Sequence, residues 1–215
     1  MNKQMVKVWK ENKQFIIFLV LMFVFRSAVA DWNHVPSGSM LPNIVVGDRL
    51  LVNKMAYDVR VPFTHISLYR HSHPEAGDIV IFDSAASGIR LVKRVIGVPG
   101  DVVEMRGNRL IINGQPLSYE MDTTLDQEHV RERLGQRHHM IRLSPRQSRA
   151  SSFLPVKVPE DAYLVLGDNR DNSADSRFIG FVPRDEIVGR TRSVVMSFDH
   201  DNYFIPRRER FFYNL

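Results

Sequence analysis

The chain has 215 residues, carries a formal net charge of +5 at pH 7 and contains no cysteine. This length fits one domain with a small appendage, and a composition that is 44% hydrophobic and 25% charged is globular. The absence of cysteine excludes disulfides, thiolate chemistry and cysteine-based zinc sites. Because the basic residues form no long run with interleaved aromatics, nucleic-acid binding is not favoured. A cationic surface near anionic lipid explains the charge at least as well.

The N-terminal residues predict a segment that enters a membrane. A basic stretch over 1–14 precedes an uninterrupted apolar run over 15–25, and Arg26 and the small residues Ala28–Ala30 follow. The apolar run is short for a bilayer span, which needs roughly 20 residues. It fits either a cleavable secretory signal or a permanent anchor in which Arg26 snorkels and Trp32 marks the far interface. In both cases 1–14 are cytoplasmic and the chain beyond Trp32 lies outside.

We expect the segment 15–31 to remain attached as a transmembrane anchor. Arg26 interrupts the apolar run at a place where a signal peptide is normally uncharged. Only Asp31–Val35 connect Ala30 to the next motif, and an extended chain spans at most about 3.3–3.6 Å per residue. So short a tether cannot easily bring the Ala30–Asp31 bond into a site on the same molecule.

Beyond this segment the sequence predicts a mainly β structure. Short runs of Val, Ile and Leu are separated by turn signals, three of which are Gly-Asp pairs placed just before a run. Asn113-Gly114, between two apolar runs, is typical of a two-residue hairpin. A polar and basic stretch then interrupts the pattern. We therefore predict an antiparallel β domain over 32–105 and 159–215, with a smaller β/loop domain inserted over 106–158.

A short polar stretch, Pro36–Pro42, follows the N-terminal segment directly. Its terminal prolines restrict the backbone to extended or turn conformations, and Gly38 allows a tight bend between the hydroxyls of Ser37 and Ser39. A serine on a rigid turn is how a fold presents a nucleophile. Serine and glycine are also common in ordinary loops, so the stretch alone leaves both interpretations open.

A serine nucleophile needs a group that removes its proton, and a neutral lysine can replace the usual histidine. In the predicted strand 91–96, Lys93 and Arg94 point to opposite faces. Arginine stays charged in proteins, whereas a desolvated lysine can lose its proton near neutral pH. If this strand supplies a base, the base is therefore Lys93. The alternative is a lysine at a strand edge that reaches water.

The histidines do not predict a metal site. His138 and His139 are adjacent in a polar stretch, and no carboxylate lies at a recognisable metal-ligand spacing from them. The same holds for His65, His71 and His73. We expect no metal and no organic cofactor.

Four segments, in this order, resemble the sequence boxes of bacterial type I signal peptidases. They are the serine box Pro36–Pro42, the strand box Gly77–Phe82, the lysine box Lys93–Asp101 and the last and most specific box Gly167–Arg177. Together they extend over most of residues 36–189, beyond the predicted anchor. The insertion carries no recognisable motif and would correspond to the variable second domain of that family.

This resemblance implies a largely antiparallel catalytic β domain whose active site faces the membrane surface. It also implies a role for each matching residue. Ser39 would be the nucleophile and Lys93 the general base, Ser173 would hydrogen-bond and orient the lysine amine, Asp175 with Arg177 would fix the loop that carries Ser173, and the Ser37 hydroxyl with the Ser39 backbone N–H would form the oxyanion hole.

The substrate and the location also follow from the resemblance. The substrates would be exported preproteins, cut after small residues at the first and third positions before the bond. The enzyme would be a single-pass protein of the bacterial cell membrane, in contact with lipid, with its catalytic domain outside. A conjugation-pilin processing peptidase is one alternative, and an inactive, membrane-tethered, peptide-binding β domain is another. Self-cleaving repressors also use a serine and a lysine, but they carry a DNA-binding domain where this chain has its apolar segment. The sequence predicts no oligomeric state.

Overall fold

The computed structural model describes residues 3–64, 66–121, 129–146 and 148–215, with the side chains from residue 12 onward except that of Met121. In chain order the helices and strands are α1 (Lys3–Ala28), β1 (Ala30–His34), β2 (Asp48–Asn53), β3 (Asp58–Arg60), β4 (Ser67–Arg70), β5 (Ile79–Ser84), β6 (Ile89–Gly97), β7 (Val102–Arg106), β8 (Arg109–Ile112), β9 (Gln115–Pro116), β10 (Ser118–Met121), β11 (His129–Leu134), β12 (Arg137–Arg142), β13 (Phe153–Lys157), β14 (Ala162–Leu166), α2 (Ser176–Ile179), β15 (Val182–Pro183), β16 (Ile187–Asp199), β17 (Ile205–Pro206) and β18 (Tyr213–Asn214).

The prediction of a mainly β, antiparallel fold is confirmed. The largest sheet has nine strands in the order β1-β2-β16-β5-β6-β14-β15, and β17 and β18 also pair with β16. The apolar runs over 187–190 and 193–198 form one strand, β16. Register shifts along its length accommodate the residues between the two runs. These irregularities let one strand pair with β5 at its beginning and with β2 along most of its length.

Two smaller sheets lie between β6 and β14 in the sequence, and a pair of strands precedes β5. One has the order β13-β7-β8-β9, a second has the order β10-β11-β12, and a separate pair is formed by β3 and β4. Most of the strand β7 lies in the range predicted for the main domain, and it pairs with β8 and β13 in the four-stranded sheet. The Asn113-Gly114 hairpin is confirmed, and both residues adopt positive φ.

The Gly-Asp pairs are turns, as their sequence indicated. Asp48, Asp78 and Asp101 each accept a hydrogen bond from the backbone N–H three residues earlier, at 2.9, 3.1 and 3.0 Å. The preceding glycines have φ between 89° and 94°, a region that other residues rarely adopt. Each turn therefore closes on its own aspartate and directs the chain into the following strand.

The hydrophobic core has three clusters, and β6 connects two of them. Val95 packs with the cluster around Phe82 and Tyr163 on one face of the main sheet. Ile96 packs with a second cluster that includes Val103 and Leu134 of the smaller sheets. Neither face of β6 is open to solvent over this stretch, because each packs against one of the clusters. Lys93 and Arg94, on opposite faces, are consequently 2% and 7% exposed.

The N-terminal segment is a helix followed directly by an edge strand. Residues 15–28 are helical, whereas Ala30 and Asp31, which the sequence placed in the anchor, already pair with Asn53 and Val52 of β2. Within the described ranges, no helix meets the combined requirements of length and apolarity for crossing a membrane.

Candidate active site

The serine loop, residues 36–44, is anchored in the hydrophobic core by buried apolar side chains. Two backbone hydrogen bonds shape it, from Leu41 N to Gly38 O at 3.1 Å and from Ile44 N to Met40 O at 3.0 Å. Met40 and Ile44 are 1% and 0% exposed and pack into the third core cluster. Because the residue after Ser39 is fixed in the core, Ser39 itself is presented on a rigid turn and stays partly exposed.

Lys93 and Ser39 are in direct contact, although 54 positions separate them. The Lys93 Nζ donates to Ser39 Oγ at 2.7 Å and to Val92 O at 3.0 Å. Burial lowers the pKa of Lys93 to about 8. The nearby Asp175 and Asp168 oppose this shift, and Arg177 adds to it. A buried lysine of this kind can be neutral under mildly alkaline conditions and can then accept the serine proton.

The loop after β14, residues 167–177, forms hydrogen bonds to the backbone of the serine loop. Asn169 N donates to Ser39 O at 3.1 Å, and Asn169 Nδ2 donates to Gly38 O at 3.0 Å. A side chain at Gly167 would place its first carbon 2.5 Å from Ser39 O and 2.2 Å from Ser173 Oγ. Only glycine therefore permits this approach. Asn169 and Gly167 lie in a recognised motif, but no sequence pattern indicated these contacts.

Asp175 and Arg177 form a bidentate ion pair within the loop. Arg177 Nε and Nη2 donate to the two carboxylate oxygens of Asp175, each at 2.7 Å. Asp175 also accepts from Gly167 N at 2.9 Å, and Arg177 Nη2 donates to Arg170 O at 2.6 Å. The side chains of both residues are buried, at 0% and 4% exposure. The pair thus joins the beginning, centre and end of the loop over residues 167–177.

The hydrogen bond expected between Ser173 and the lysine amine is absent. The Ser173 hydroxyl is buried and has no hydrogen-bond partner among the residues that the structure describes. The amine instead donates to Ser39 Oγ and to its own strand at Val92 O. Ser37, the expected oxyanion donor, is exposed two residues before Ser39.

An ion pair that the sequence did not indicate lies directly behind the lysine. Arg94 Nε and Nη2 donate to Asp168 at 2.8 and 2.7 Å, Arg94 Nη1 donates to Gly77 O at 3.0 Å, and Asn43 Nδ2 donates to Asp168 at 2.6 Å. Burial alone would raise the pKa of Asp168, but the charge and hydrogen bonds of Arg94, together with His139 and Asn43, lower that pKa. The pair joins β6, the serine loop and the loop after β14. Asp168 is thus not part of a simple Gly-Asp turn.

Of the histidines considered for a metal site, His139 lies near the Arg94–Asp168 pair and interacts electrostatically with both residues. His138 is exposed, His139 is buried beside Glu132, and His71 Nε2 is 3.0 Å from Met55 O. No group of three metal-ligating side chains occurs in the described ranges. His65, which the sequence also left without a metal role, lies outside them.

Comparison with known proteins identifies the family. The family model described as signal peptidase, peptidase S26, matches residues 8–196. A signal peptidase I of Pseudomonas fluorescens is 36% identical over 214 residues, which cover 92% of this chain and 75% of that protein. A signal peptidase I of Bacillus amyloliquefaciens is 34% identical over 194 residues, covering 90% and 87%. A crystal structure of a signal peptidase I from Enterococcus faecalis is 34% identical, with a TM-score of 0.38, and covers 55% of this chain and 97% of that one. On the family match and the two sequence relatives, the chain belongs to the signal peptidase family, peptidase S26, and is a serine peptidase of the signal peptidase I type.

Proposed function

We propose that this chain is a membrane-anchored endopeptidase that removes N-terminal signal peptides from exported preproteins. The observation that carries the proposal is the 2.7 Å contact between the buried Lys93 amine and the Ser39 hydroxyl, in a chain of this family. The complete Ser/Lys pair disfavours an inactive peptide-binding domain. No metal or organic cofactor is needed for this chemistry.

The reaction uses Lys93 twice as a proton carrier. The neutral amine takes the proton of Ser39 as Oγ attacks the scissile carbonyl, and the resulting ammonium gives it to the leaving amine when the peptide bond breaks. A water molecule, deprotonated by the same amine, then hydrolyses the ester formed on Ser39. The developing oxyanion would be bound by the Ser39 backbone N–H and the Ser37 hydroxyl. Asp175 and Arg177 would keep the loop that carries Ser173 in place.

The main sheet offers an open edge for an extended substrate. The strand β14 pairs with β6 from Arg94 to Gly97, whereas Ile89–Val92 of β6 pair only with β5 in the described structure. Unpaired backbone groups at a sheet edge can bind a peptide as an additional strand. A preprotein segment that pairs there would lie next to the Lys93 amine. Small residues at the first and third positions before the bond would suit shallow pockets at this edge.

The proposed activity is tested by incubating the detergent-solubilised protein with a purified preprotein. We expect a mature product whose new N-terminus follows the small residues, identified by mass spectrometry, and no product with Ser39→Ala. Equal cleavage by the folded Ser39→Ala variant would contradict the assignment. Binding without cleavage by the wild type would favour the peptide-binding domain. A panel of preproteins that includes a pilin precursor separates a general enzyme from a pilin-specific one.

We also propose that the helical residues 15–28 anchor the enzyme in the bacterial inner membrane, with the N-terminus cytoplasmic and the catalytic domain outside. Apolar side chains on several sides of α1 are exposed, such as Phe15, Phe18 and Leu21 at 61%, 61% and 62%, so lipid would cover them. The Arg26 guanidinium lies 4.7 Å from the centre of the Trp32 ring. An arginine and a tryptophan at the end of the apolar run are typical of a membrane interface.

The N-terminal segment should remain uncleaved in cells. The Ala30–Asp31 bond lies in β1, whose residues pair with β2, and Lys54 N donates to Val29 O at 2.9 Å just before it. An extended substrate must first leave such a strand, so the bond is protected even from a neighbouring molecule. Intact mass of the membrane-extracted protein should give the full chain. A chain that begins at Asp31 would identify the segment as a signal peptide.

The activity should rise with pH up to about 8 and then level off. Lys93 acts only when neutral, and burial lowers its pKa to about 8. Below that value the neutral fraction, and with it kcat/KM, should fall about tenfold for each pH unit. Peptide cleavage is measured from about pH 6 to pH 10, with circular dichroism as the control for folding. A flat profile in a folded enzyme would exclude a lysine base with this pKa.

A further inference from the structure

The loop after β14 lies between the serine loop and the strands of the insertion. On one side Asn169 binds the backbone of Gly38 and Ser39. On the other side Asn169 forms a short parallel bridge with Arg142 at the end of β12. Arg142 N donates to Asp168 O at 2.8 Å, and Arg170 N donates to Arg142 O at 3.0 Å. The backbone that holds the nucleophile is therefore connected to the insertion by hydrogen bonds through this loop.

Arg170 extends from this loop into the insertion and ends on a buried carboxylate. Its Nη2 donates to Glu132 Oε1 in β11, and its Nη1 reaches Asn108 O at 3.4 Å. The Arg170 and Glu132 side chains are 1% and 0% exposed. Glu132 also accepts from the Tyr119 hydroxyl at 2.7 Å, and His139 Nε2 lies 3.1 Å from it. Burial alone would raise the pKa of Glu132, but the charges of Arg170 and His139 and their hydrogen bonds to the carboxylate together lower it, so Glu132 is ionised.

The next residue of the loop is bound to the insertion as well. Asp171 accepts hydrogen bonds from Asn108 Nδ2 at 2.9 Å, from Ser144 N at 2.9 Å and from Ser148 N at 2.8 Å. These bonds and those of Arg170 together fix the centre of the loop. Asn169, the residue that binds the serine loop, stands directly before Arg170.

A fully buried ion pair contributes little to the net free energy of unfolding. Removing two charges from water costs about as much as their attraction returns, and apolar side chains of similar size often serve equally well. Such a pair instead fixes the orientation of its two side chains, because bonds between charged groups are short and geometrically specific. Because Arg170 directly follows Asn169, the pair is placed to orient the residue that binds the serine loop.

We propose that Glu132 is a positioning residue for the nucleophile. It holds Arg170, and Arg170 sets the loop from which Asn169 supports Gly38 and Ser39. The inserted domain thereby orients the serine towards the Lys93 amine. This inference rests on the proposed peptidase function, and it gives the insertion a role in the chemical step without contact with the substrate.

The test compares kcat, KM and thermal unfolding of full-length variants in detergent, with a soluble peptide that contains a cleavage site. For Glu132→Gln we expect kcat to fall about 10- to 100-fold, since a displacement of about 1 Å in an active site has this effect, while KM stays within about twofold. The matched control is Leu134→Ala, on the same strand, which removes a buried side chain of the second core cluster. It should lower the unfolding temperature and leave kcat close to that of the wild type.

A double variant separates positioning from stability. Glu132→Gln combined with Arg170→Met leaves no unpaired buried charge, so it should recover most of the lost stability, yet its kcat should stay low because the loop is no longer tied to β11. If Glu132→Gln does not fold, this variant carries the test. Recovery of the wild-type kcat in the double variant would overturn the proposal. So would an equal fall of kcat in Leu134→Ala at an equal loss of stability.

The same measurements distinguish this inference from the function on which it depends. If the wild type does not cleave the peptide faster than Ser39→Ala, the proposed function is wrong and the positioning role is wrong with it. If the wild type cleaves and Glu132→Gln cleaves at the same rate, only the positioning role is wrong.

Discussion

Replacing Lys93 with methionine should lower kcat/KM for a preprotein by at least about 10⁴-fold, the loss typical of removing one member of a nucleophile–base pair. Replacing it with arginine should be equally damaging. Arginine keeps the positive charge but cannot be deprotonated in a protein, so it cannot accept the proton of Ser39. The 2.7 Å distance between Lys93 Nζ and Ser39 Oγ makes proton transfer the simplest role for the amine.

The two Lys93 variants should differ in stability even though both are inactive. Methionine removes a buried charged group that is 2% exposed, so Lys93→Met should be at least as stable as the wild type near pH 7. Arginine forces a larger charged group into the same space and should lower the unfolding temperature. An active Lys93→Arg enzyme would show that residue 93 acts as a cation and not as a base.

The strands and turns of the fold could be predicted because their signals are local. Ile79–Phe82 and Ala162–Leu166 are short apolar runs bounded by turn residues, and both are strands. Asn113-Gly114 supplies two residues that tolerate positive φ, which a hairpin of this kind requires. The pairing of Val102–Arg106 with β8 could not be predicted, because its apolar pattern is the same whether it pairs with the main sheet or with β8.

The contacts of the site depend on tertiary packing and could be predicted only in part. Alternation placed Lys93 and Arg94 on opposite faces of β6, but it could not show that both faces are buried. The motif suggested that Ser173 binds the lysine amine, whereas the amine donates to Val92 O instead. Glu132 lies in β11 of the insertion and Arg170 in the loop after β14, 38 positions apart, so no sequence pattern joins them.

The residue with the largest expected effect on stability is Asp168. Asp168→Asn should lower the free energy of unfolding by about 3–5 kcal/mol, because it leaves the charge of Arg94 buried and uncompensated. The same change should reduce kcat, since Asp168 joins the loop after β14 to Asn43 of the serine loop at 2.6 Å. Denaturant unfolding at neutral pH gives the free energy.

The matched control for Asp168→Asn is Asp83→Asn, which breaks the ion pair between Asp83 and Arg90. These side chains are 36% and 39% exposed, against 1% and 8% for Asp168 and Arg94, so the control should cost less than about 1 kcal/mol. The pH dependence supplies an independent check. The folded protein lowers the pKa of Asp168 below its ordinary value of 3.8, so the pair stabilises the protein above that pH and ceases to do so as the pH falls through the folded value. The difference between the wild type and Asp168→Asn should therefore be constant near neutrality and shrink in acid. A small, pH-independent difference similar to that of Asp83→Asn would show that the Arg94–Asp168 pair does not hold the active-site loops together.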